Sequence, residues 1–378
     1  MRTAPVDQAS VRYHGLDGLR AFAMSLGIVI HASVPYWAGA GEIALFWPTD
    51  KNQSPSLGIV AIFIHTWRMP LFFLLAGFFA HLVLERRSTR HFAMDRLKRI
   101  AVPLAIFGPV MALTLPMLWI YGATGRITLG TLSDISLDGQ PFGHLWFLYY
   151  LIILYGMLLL LRAIGQPLSF AQPVGRMVGR AIYTKIPVAF VLLTAVLVIV
   201  RGEGGEDKTV WPINVPDLLY SALFFLYGYG LYNHRDLIDK LRSGKMVSVL
   251  LAVATISFFA QLALADVEGL AGLVLLFSHS SATVGLSLGL IGLFERYLTS
   301  HNPRIRWLAD SSYWIYIIHM PVVALLTFYL LNHDLNANLK FALACTITGV
   351  LGLVTYRYFV RYTPLGTLLN GKRFREVV

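Results

Sequence analysis

The sequence predicts an all-α integral membrane protein, a bundle of about ten transmembrane helices with both termini in the cytoplasm. Composition is the first reason. Of the 378 residues, 56% are hydrophobic and 13% are charged, and the mean hydropathy is +0.63; a soluble domain of this length reaches such values only with a large exposed apolar surface. The second reason is a series of apolar runs long enough to span a bilayer, and the third is the distribution of Lys and Arg along the chain.

Ten apolar runs approach the ~20 residues that a membrane-spanning helix needs. They lie at about 19–38, 60–84, 100–121, 144–163, 186–201, 217–233, 247–265, 270–294, 307–331 and 339–362. The runs at 186–201 and 217–233 are the short ones. The runs show no internal repeat of the kind found in transporters, and no loop is long enough to fold alone. Residues 1–378 are therefore predicted to form one membrane domain. Its spans cover about 19–362, and 363–378 is a cytoplasmic tail.

Orientation follows from the positive charges, which concentrate on the cytoplasmic side of membrane proteins. With the N-terminus inside, nearly all Lys and Arg fall in the termini and in alternate, cytoplasmic loops. The exceptions are Lys51, Arg68, Arg126, Arg201, Lys208 and Lys340. The first span has a longer n-region than a cleaved signal peptide and contains His31, so we expect it to be retained.

The same features exclude several function classes. The net charge of +11 is spread over short clusters between apolar runs rather than along one basic face, which argues against a nucleic-acid partner. The single cysteine, Cys345, allows no intramolecular disulfide and no cysteine-based metal site, and we predict no metal. A glycine-rich phosphate loop is missing from the sequence, which argues against a nucleotide triphosphatase.

Arg20 and His31 are the first candidate functional pair. Ten residues separate them within the first span, which corresponds to about 16 Å along a helix at ~1.5 Å per residue. If Arg20 lies at the cytoplasmic interface, His31 reaches the bilayer midplane. Ionisable groups at that depth are costly and rarely lack a task, although His31 alone is also consistent with a structural histidine that is hydrogen-bonded between helices.

Three ionisable residues in other spans reach a similar depth. His65 and Arg68 stand three residues apart and therefore share a helix face in the outer part of the second span. Arg68 is also consistent with a side chain that extends to the outer headgroups. His319 lies about 18 Å from the cytoplasmic end of the ninth span. These depths predict a common polar layer.

Other polar residues allow two interpretations. His144 and Trp146, at the outer start of the fourth span, fit either a substrate platform or an aromatic belt, and the mid-span His279 fits a helix-packing role. On the cytoplasmic side, Asp17 and Arg20 open the first span. Arg96 and Arg99 open the third. Such arginines anchor membrane proteins, but they also grip phosphate oxygens, with Asp17 placed to orient Arg20.

Five segments resemble those of the membrane acyltransferase-3 family, in family order and from residue 13 to about 325. They are LDGLRAFAM followed by His31, LFFLLAGFF, FAMDRLKRIAVP, GHLWFLYYL and SSYWIYIIHMP. Each is short and degenerate, and their order and spacing make the match specific. Within the family, HTWRM at 65–69 and the ten-span outline most resemble the glucan biosynthesis protein C branch, the succinyltransferases of osmoregulated periplasmic glucans.

The resemblance implies acyl transfer from cytoplasmic acyl-coenzyme A to a sugar hydroxyl beyond the membrane. The Arg-x10-His element of the family falls on Arg20 and His31, its Arg-x-x-Arg element on Arg96 and Arg99, and its late Ser-Tyr element on Ser312 and Tyr313. Many relatives have His-Met-Pro where this chain has Arg68-Met69-Pro70. An added cation favours a donor with a free carboxylate, so a succinyl group is favoured over acetyl.

These assignments give each candidate residue a role. We expect the coenzyme A phosphates to be bound by Asp17, Arg20, Arg96 and Arg99. We expect His31 to act as general base or to form an acyl-histidine, and the oxyanion to be stabilised by Arg68, Tyr313 or His319. The acceptor or the acyl group is expected to be bound by His65, His144 and Trp146. Acyl-coenzyme A is a co-substrate, and no cofactor is tightly bound. The expected location is the bacterial inner membrane, as a multi-pass protein; a homo-oligomer is left open.

Two other functions stay open from the sequence. One is an O-acetyltransferase of lipopolysaccharide or exopolysaccharide. The other is a proton-linked transporter or flippase in which His31, His65, His279 and His319 form a relay. The sequence lacks the repeats and paired broken helices that are typical of transporters. Saturable binding of coenzyme A to the purified protein would distinguish the enzyme from a transporter.

Overall fold

The computed structural model describes residues 13–37, 47–127, 142–165, 192–197, 213–264 and 270–371. Within these ranges every regular element is helical and none is a strand. The helices are α1 (His14–Ser33), α2 (Pro55–Arg86), α3 (Thr89–Arg96), α4 (Val102–Thr124), α5 (Trp146–Gly165), α6 (Val215–Leu231), α7 (Asp236–Leu241), α8 (Gly244–Ala263), α9 (Leu270–Tyr297), α10 (Pro303–Leu331), α11 (Ala337–Thr355) and α12 (Pro364–Asn370).

The described part of the chain contains eight helical segments that are long and apolar enough to cross a membrane. They lie at His14–Tyr36, Pro55–Arg86, Thr89–Thr124, Gly143–Ile164, Gly244–Ala263, Gly272–Tyr297, Pro303–Leu331 and Ala337–Val360. This confirms the predicted polytopic helical membrane protein, and each segment coincides with a predicted span. The predicted span at 217–233 corresponds to α6, which has 17 residues. The one at 186–201 lies outside the described residues, apart from a helical stretch at 192–197.

Helices α5 and α6 run in the same direction. The Tyr150 hydroxyl, near the start of α5, donates to the carbonyl of Asn214, which caps the start of α6 (3.3 Å). At their other ends, Arg162 Nη1 donates to the Tyr229 hydroxyl (3.1 Å). The ten-span prediction requires this parallel arrangement, because it places one further span, at 186–201, between α5 and α6.

Topology gives the first testable prediction. Reporter fusions near Arg90 and Arg242 should give cytoplasmic signals, and fusions near Lys51 and Asp207 should give signals from the opposite side, because the Lys and Arg clusters set the orientation. A cytoplasmic signal from Asp207 would remove a crossing between α5 and α6 and contradict the prediction.

Close helix packing holds the centre of the bundle. Helix α2 crosses α6 where Gly77 faces the carbonyl of Phe225 and Gly228 faces the carbonyl of Leu74, and a Cβ atom on either glycine would collide with the opposite backbone. Small residues permit such close approach of helices in membranes. The crossing fixes the position of α2, which carries Arg68.

Three prolines shape the backbone around the polar residues. Proline has no N–H to donate to the carbonyl four residues earlier, and membrane helices satisfy such carbonyls from neighbouring helices. Thr283 Oγ1 donates to the Thr66 carbonyl, four residues before Pro70 (2.9 Å). The Tyr313 hydroxyl donates to the Arg99 carbonyl, four residues before Pro103 (2.7 Å).

The third proline lies in α10. His144 Nε2 bonds to the carbonyls of Tyr316 (2.9 Å) and Ile317 (3.2 Å), and Ile317 stands four residues before Pro321. In return, the Tyr316 hydroxyl donates to the His144 carbonyl (2.8 Å). This reciprocal pair ties the short turn before α5 to the middle of α10 and thereby brings His144 next to His319.

A buried ion pair, which we call the outer clasp, joins the segment before α2 to the start of α11. Lys340 Nζ lies 2.5 Å from Asp50 Oδ2, and both side chains are 0% exposed. The Asp50 N–H also donates to the Pro35 carbonyl (2.8 Å). Beside this pair, an exposed contact joins Lys51 to Asp334 (3.0 Å), and the hydrogen bond from Lys51 holds the pKa of Asp334 below its usual value.

Lys340→Met is expected to destabilise the protein by about 3–5 kcal/mol, because it leaves the Asp50 carboxylate buried without its counter-ion. Thermal or denaturant unfolding in detergent measures the loss. Lys51→Ala is the matched control: it breaks an ion pair that water already screens and should change the midpoint little. Equal effects of the two variants would contradict a stabilising role for the clasp.

Candidate active site

Three histidines from three parts of the chain come together inside the bundle. His31 comes from α1, His144 from the turn before α5, and His319 from α10. Ring centroids of His319 lie 5.3 Å from His31 and 4.9 Å from His144. We call this group, together with Arg68, the central cluster. The structure therefore brings together four of the residues that the sequence singled out.

Backbone carbonyls fix the tautomers of two of these rings, since a carbonyl oxygen only accepts hydrogen bonds. His319 Nδ1 lies 2.7 Å from the Tyr316 carbonyl, so Nδ1 carries the proton and Nε2 offers a lone pair. By the same reasoning His144 donates through Nε2, and its Nδ1 accepts. Neither His319 Nε2 nor His144 Nδ1 has a hydrogen-bond partner within the described ranges. Both atoms remain available to a substrate.

Arg68 is a buried cation. Arg68 is 8% exposed, and its Nη2 atom makes a long contact with Met69 Sδ (3.9 Å). Its Nε and Nη1 are buried without a partner among the residues that the structure describes. A buried, unpaired charge is costly, so this position suits a site that receives an anion.

Gly27 lies where the cluster is tightest. A Cβ at Gly27 would stand 3.1 Å from Arg68 Nη1 and 3.1 Å from His319 Nε2. The guanidinium and the imidazole lone pair therefore face the same small volume beside the backbone of α1. Glycine leaves that volume open.

Trp47 covers the outer side of His31. The two rings are parallel, with an interplanar angle of 1° and centroids 6.1 Å apart, and Trp119 (4.6 Å) and Phe328 (6.1 Å) hold Trp47 edge-on. Sequence reasoning missed Trp47, which follows the predicted first span and belongs to no periodic pattern.

The predicted phosphate-binding arginines form a second group at the end of the bundle that the sequence predicts to be cytoplasmic, and we call it the cytoplasmic group. Asp95 lies between Arg96 (3.6 Å) and Arg99 (3.8 Å). Arg20 pairs with Asp17 (3.7 Å), as the sequence predicted. The Tyr155 ring lies within electrostatic reach of all three arginines. The three cations therefore converge on one region.

Two members of this cytoplasmic group were missed from the sequence. Asp95 stands next to Arg96, and Arg306 of α10 reaches Asp17 (3.4 Å) and Asp310 (2.9 Å). Arg306 could not be recognised because it is one of the many Lys and Arg residues on which the predicted orientation rests. The acidic partners hold the arginine side chains in place at the mouth of the bundle.

Tyr313 lies apart from the central cluster. Its hydroxyl donates to the Arg99 carbonyl, so Tyr313 contributes to the cytoplasmic group. On α10 its ring stacks on that of Tyr316, with the centroids 6.4 Å apart. His65 and Trp146 also stand outside the cluster and line a separate pocket described below. No group of three or more His, Cys, Asp or Glu in the described ranges is arranged to hold a metal ion.

Comparison with known proteins finds a matching family model and several similar sequences. The sequence model of the family described as "Acyltransferase domain" matches residues 13–357. Glucans biosynthesis protein C of Salmonella typhi and that of Salmonella typhimurium are each 26% identical to the chain, and the alignment covers 96% of this chain and 95% of theirs. The protein of the same name from Salmonella heidelberg is 25% identical with the same coverage. No solved structure matches the chain significantly.

Proposed function

The chain belongs to the acyltransferase family, whose model covers nearly all of it, and from this premise we propose that it moves a succinyl group from cytoplasmic succinyl-coenzyme A to hydroxyls of a periplasmic glucan. The enzyme lies in the bacterial inner membrane. The acceptor class comes from the relatives named glucans biosynthesis protein C. The acyl group and the donor come from the arrangement of charges, as follows.

The cytoplasmic arginines bind the donor. Coenzyme A is a phosphate-bearing anion, and Arg20, Arg96 and Arg99 form a convergent set of guanidinium groups suited to phosphate oxygens. Asp17 and Asp95 keep these side chains ordered before the donor arrives. The pantetheine arm then runs inward along α1, which is one uninterrupted helix from His14 to Ser33, and brings the thioester to His31 about 16 Å away.

His31 carries out the proton transfer. As the acceptor oxygen attacks the thioester carbonyl, a C–O bond forms and the imidazole of His31 takes the hydroxyl proton. The tetrahedral oxyanion then collapses, the C–S bond breaks, and the departing thiolate takes the proton from the imidazolium. His319 and His144 stand beside this ring in fixed tautomers, which keeps the reacting groups oriented.

Arg68 is the observation that carries the choice of acyl group. Its guanidinium is always charged, it is buried, and two of its nitrogens lack a partner among the described residues. A succinyl thioester ends in a carboxylate and supplies the missing counter-ion, whereas an acetyl group has nothing to offer this cation. Binding of that carboxylate by Arg68 places the carbonyl beside the histidines.

Mass spectrometry of periplasmic and surface glycans, from cells with and without the gene, tests the proposal. Loss of a +100 Da succinyl modification from the glucan fraction, an increment that follows from the formula of the ester, is the expected result and is restored by the gene in trans. Loss of an acetyl modification from lipopolysaccharide or exopolysaccharide would instead identify an O-acetyltransferase. Unchanged glycans with altered uptake or export would favour a transporter.

A further inference from the structure

A pocket separate from the central cluster opens between α2, α5, α6 and α9. It is partly open to the surroundings, and its walls include His65, Phe73, Trp146, Tyr220, Ser221 and His279. We call it the outer pocket.

Helix starts place this pocket on the side of the protein opposite the arginine group. Trp146 is the first residue of α5, and Tyr220 and Ser221 lie within two turns of the start of α6. Both helices begin on the periplasmic side in the predicted topology. The outer pocket therefore lies toward the same end of the bundle as His31, which stands in the last turn of α1.

The walls of the pocket combine aromatic faces with uncharged hydrogen-bonding groups. Phe73, Trp146 and Tyr220 supply apolar rings, and Ser221 supplies a hydroxyl. No Asp, Glu, Lys or Arg is among the described residues of the lining. Such a lining suits an uncharged, hydroxyl-rich ligand and offers nothing to a carboxylate or a phosphate.

A hydrogen-bonded chain holds one imidazole of the lining in a defined state. Gln261 Nε2 donates to the Thr66 hydroxyl (3.3 Å), which directs the Gln261 Oε1 atom toward His279. His279 Nδ1 lies 2.9 Å from that oxygen and must donate to it, so His279 Nε2 is the acceptor of the ring. A ring with an accepting nitrogen fits the O–H group of a sugar.

Met69 is the element shared between the two sites. Its side chain lines the outer pocket, and its sulfur contacts Arg68 Nη2 at 3.9 Å. One flexible thioether therefore stands between the pocket and the cation of the central cluster. Methionine side chains rearrange easily, so a ligand in the pocket has a short path to the reacting groups.

We propose that the outer pocket binds the acceptor, as one uncharged glucosyl residue whose hydroxyl passes Met69 to reach the central cluster. His279, Tyr220 and Ser221 thereby become acceptor-binding residues beside His65 and Trp146. This inference rests on the proposed function for the identity of the sugar. In this arrangement the charged groups bind the donor, and the uncharged outer pocket binds the acceptor.

Cysteine protection tests the pocket without turnover. In a Cys345→Ala background, which removes the one native thiol, Ser221→Cys is treated with a small membrane-impermeant thiol reagent. A linear glucose oligosaccharide should suppress the labelling of Ser221→Cys, whereas succinate should not. Lys51→Cys, in the exposed outer segment, is the matched control and should label equally with and without the sugar. Protection by succinate, no protection by the sugar, or no labelling of Ser221→Cys at all would overturn the proposal.

Kinetics in reconstituted membranes give a second, independent test. Ser221→Phe fills the pocket and should raise the KM for the glucan while leaving the KM for succinyl-coenzyme A unchanged. Lys51→Ala changes an exposed residue outside the pocket and should leave both KM values unchanged. An unchanged glucan KM in Ser221→Phe overturns the pocket while the proposed function stands. If the wild-type protein transfers nothing to the glucan but the sugar still protects Ser221→Cys, the proposed function fails and the pocket stands.

Discussion

Replacing His31 by alanine is expected to lower the transfer rate by roughly 10²–10⁴-fold, the usual contribution of a general base, while donor binding stays intact. His31 belongs to the central cluster, and its ring lies beside those of His319 and Trp47. In the proposed mechanism it touches the reacting atoms and not the phosphates. Turnover and coenzyme A binding, measured on the same purified variant, separate the two effects.

Arg20→Ala is the matched variant, since it changes the other end of the same helix. It should weaken donor binding and raise the KM for the acyl-coenzyme A, because Arg20 belongs to the cytoplasmic group, and it should leave the rate at saturating donor close to that of the wild type. His333→Ala, beyond the end of α10 and outside both groups, controls for the loss of an imidazole. A folded His31→Ala protein that acylates the glucan at a near-normal rate would contradict the mechanism.

Sequence reasoning predicted the parts of the fold that depend on local composition. Apolar runs locate helices because a membrane-spanning segment must satisfy its backbone internally and face lipid with its side chains, and eight predicted spans coincide with helices of sufficient length. Spacing also placed Arg20 and His31 at two depths of one helix. The convergence of His31, Arg68 and His319 could be anticipated because depth is shared across spans.

Contacts made by loops and by reciprocal backbone bonds could not be predicted in this way. Trp47 lies beside the His31 ring, and three residues later the outer clasp joins Asp50 to Lys340 of α11, a contact between residues 290 positions apart. The contact of Tyr313 depends on the backbone of a different segment. Pro103 has no N–H for the Arg99 carbonyl, and the Tyr313 hydroxyl donates to that carbonyl instead. Neither Trp47 nor Tyr313 is marked by periodicity or by charge.

The second large effect is expected at Arg68, where Arg68→Ala should reduce succinyl transfer far more than acetyl transfer. Truncating one partner of a buried, hydrogen-bonded charge pair costs about 2–5 kcal/mol, which corresponds to roughly 30-fold to a few thousand-fold at 1.4 kcal/mol per factor of ten. The acetyl group has no carboxylate, so acetyl transfer should not lose this binding free energy. The ratio of kcat/KM for succinyl-coenzyme A to that for acetyl-coenzyme A measures the effect independently of the amount of folded protein.

Arg68→His strengthens the test, because it creates the His-Met-Pro sequence that the family resemblance leads us to expect and keeps a side chain at the site. If Arg68 binds the carboxylate of the donor, Arg68→His should retain or gain acetyl transfer while it loses succinyl transfer. If Arg68 instead stabilises the oxyanion, which both acyl groups form, the two donors should lose rate together in Arg68→Ala. Equal losses in both variants would leave Arg68 as part of the general machinery of acyl transfer, and the choice of succinate would have to come from another residue.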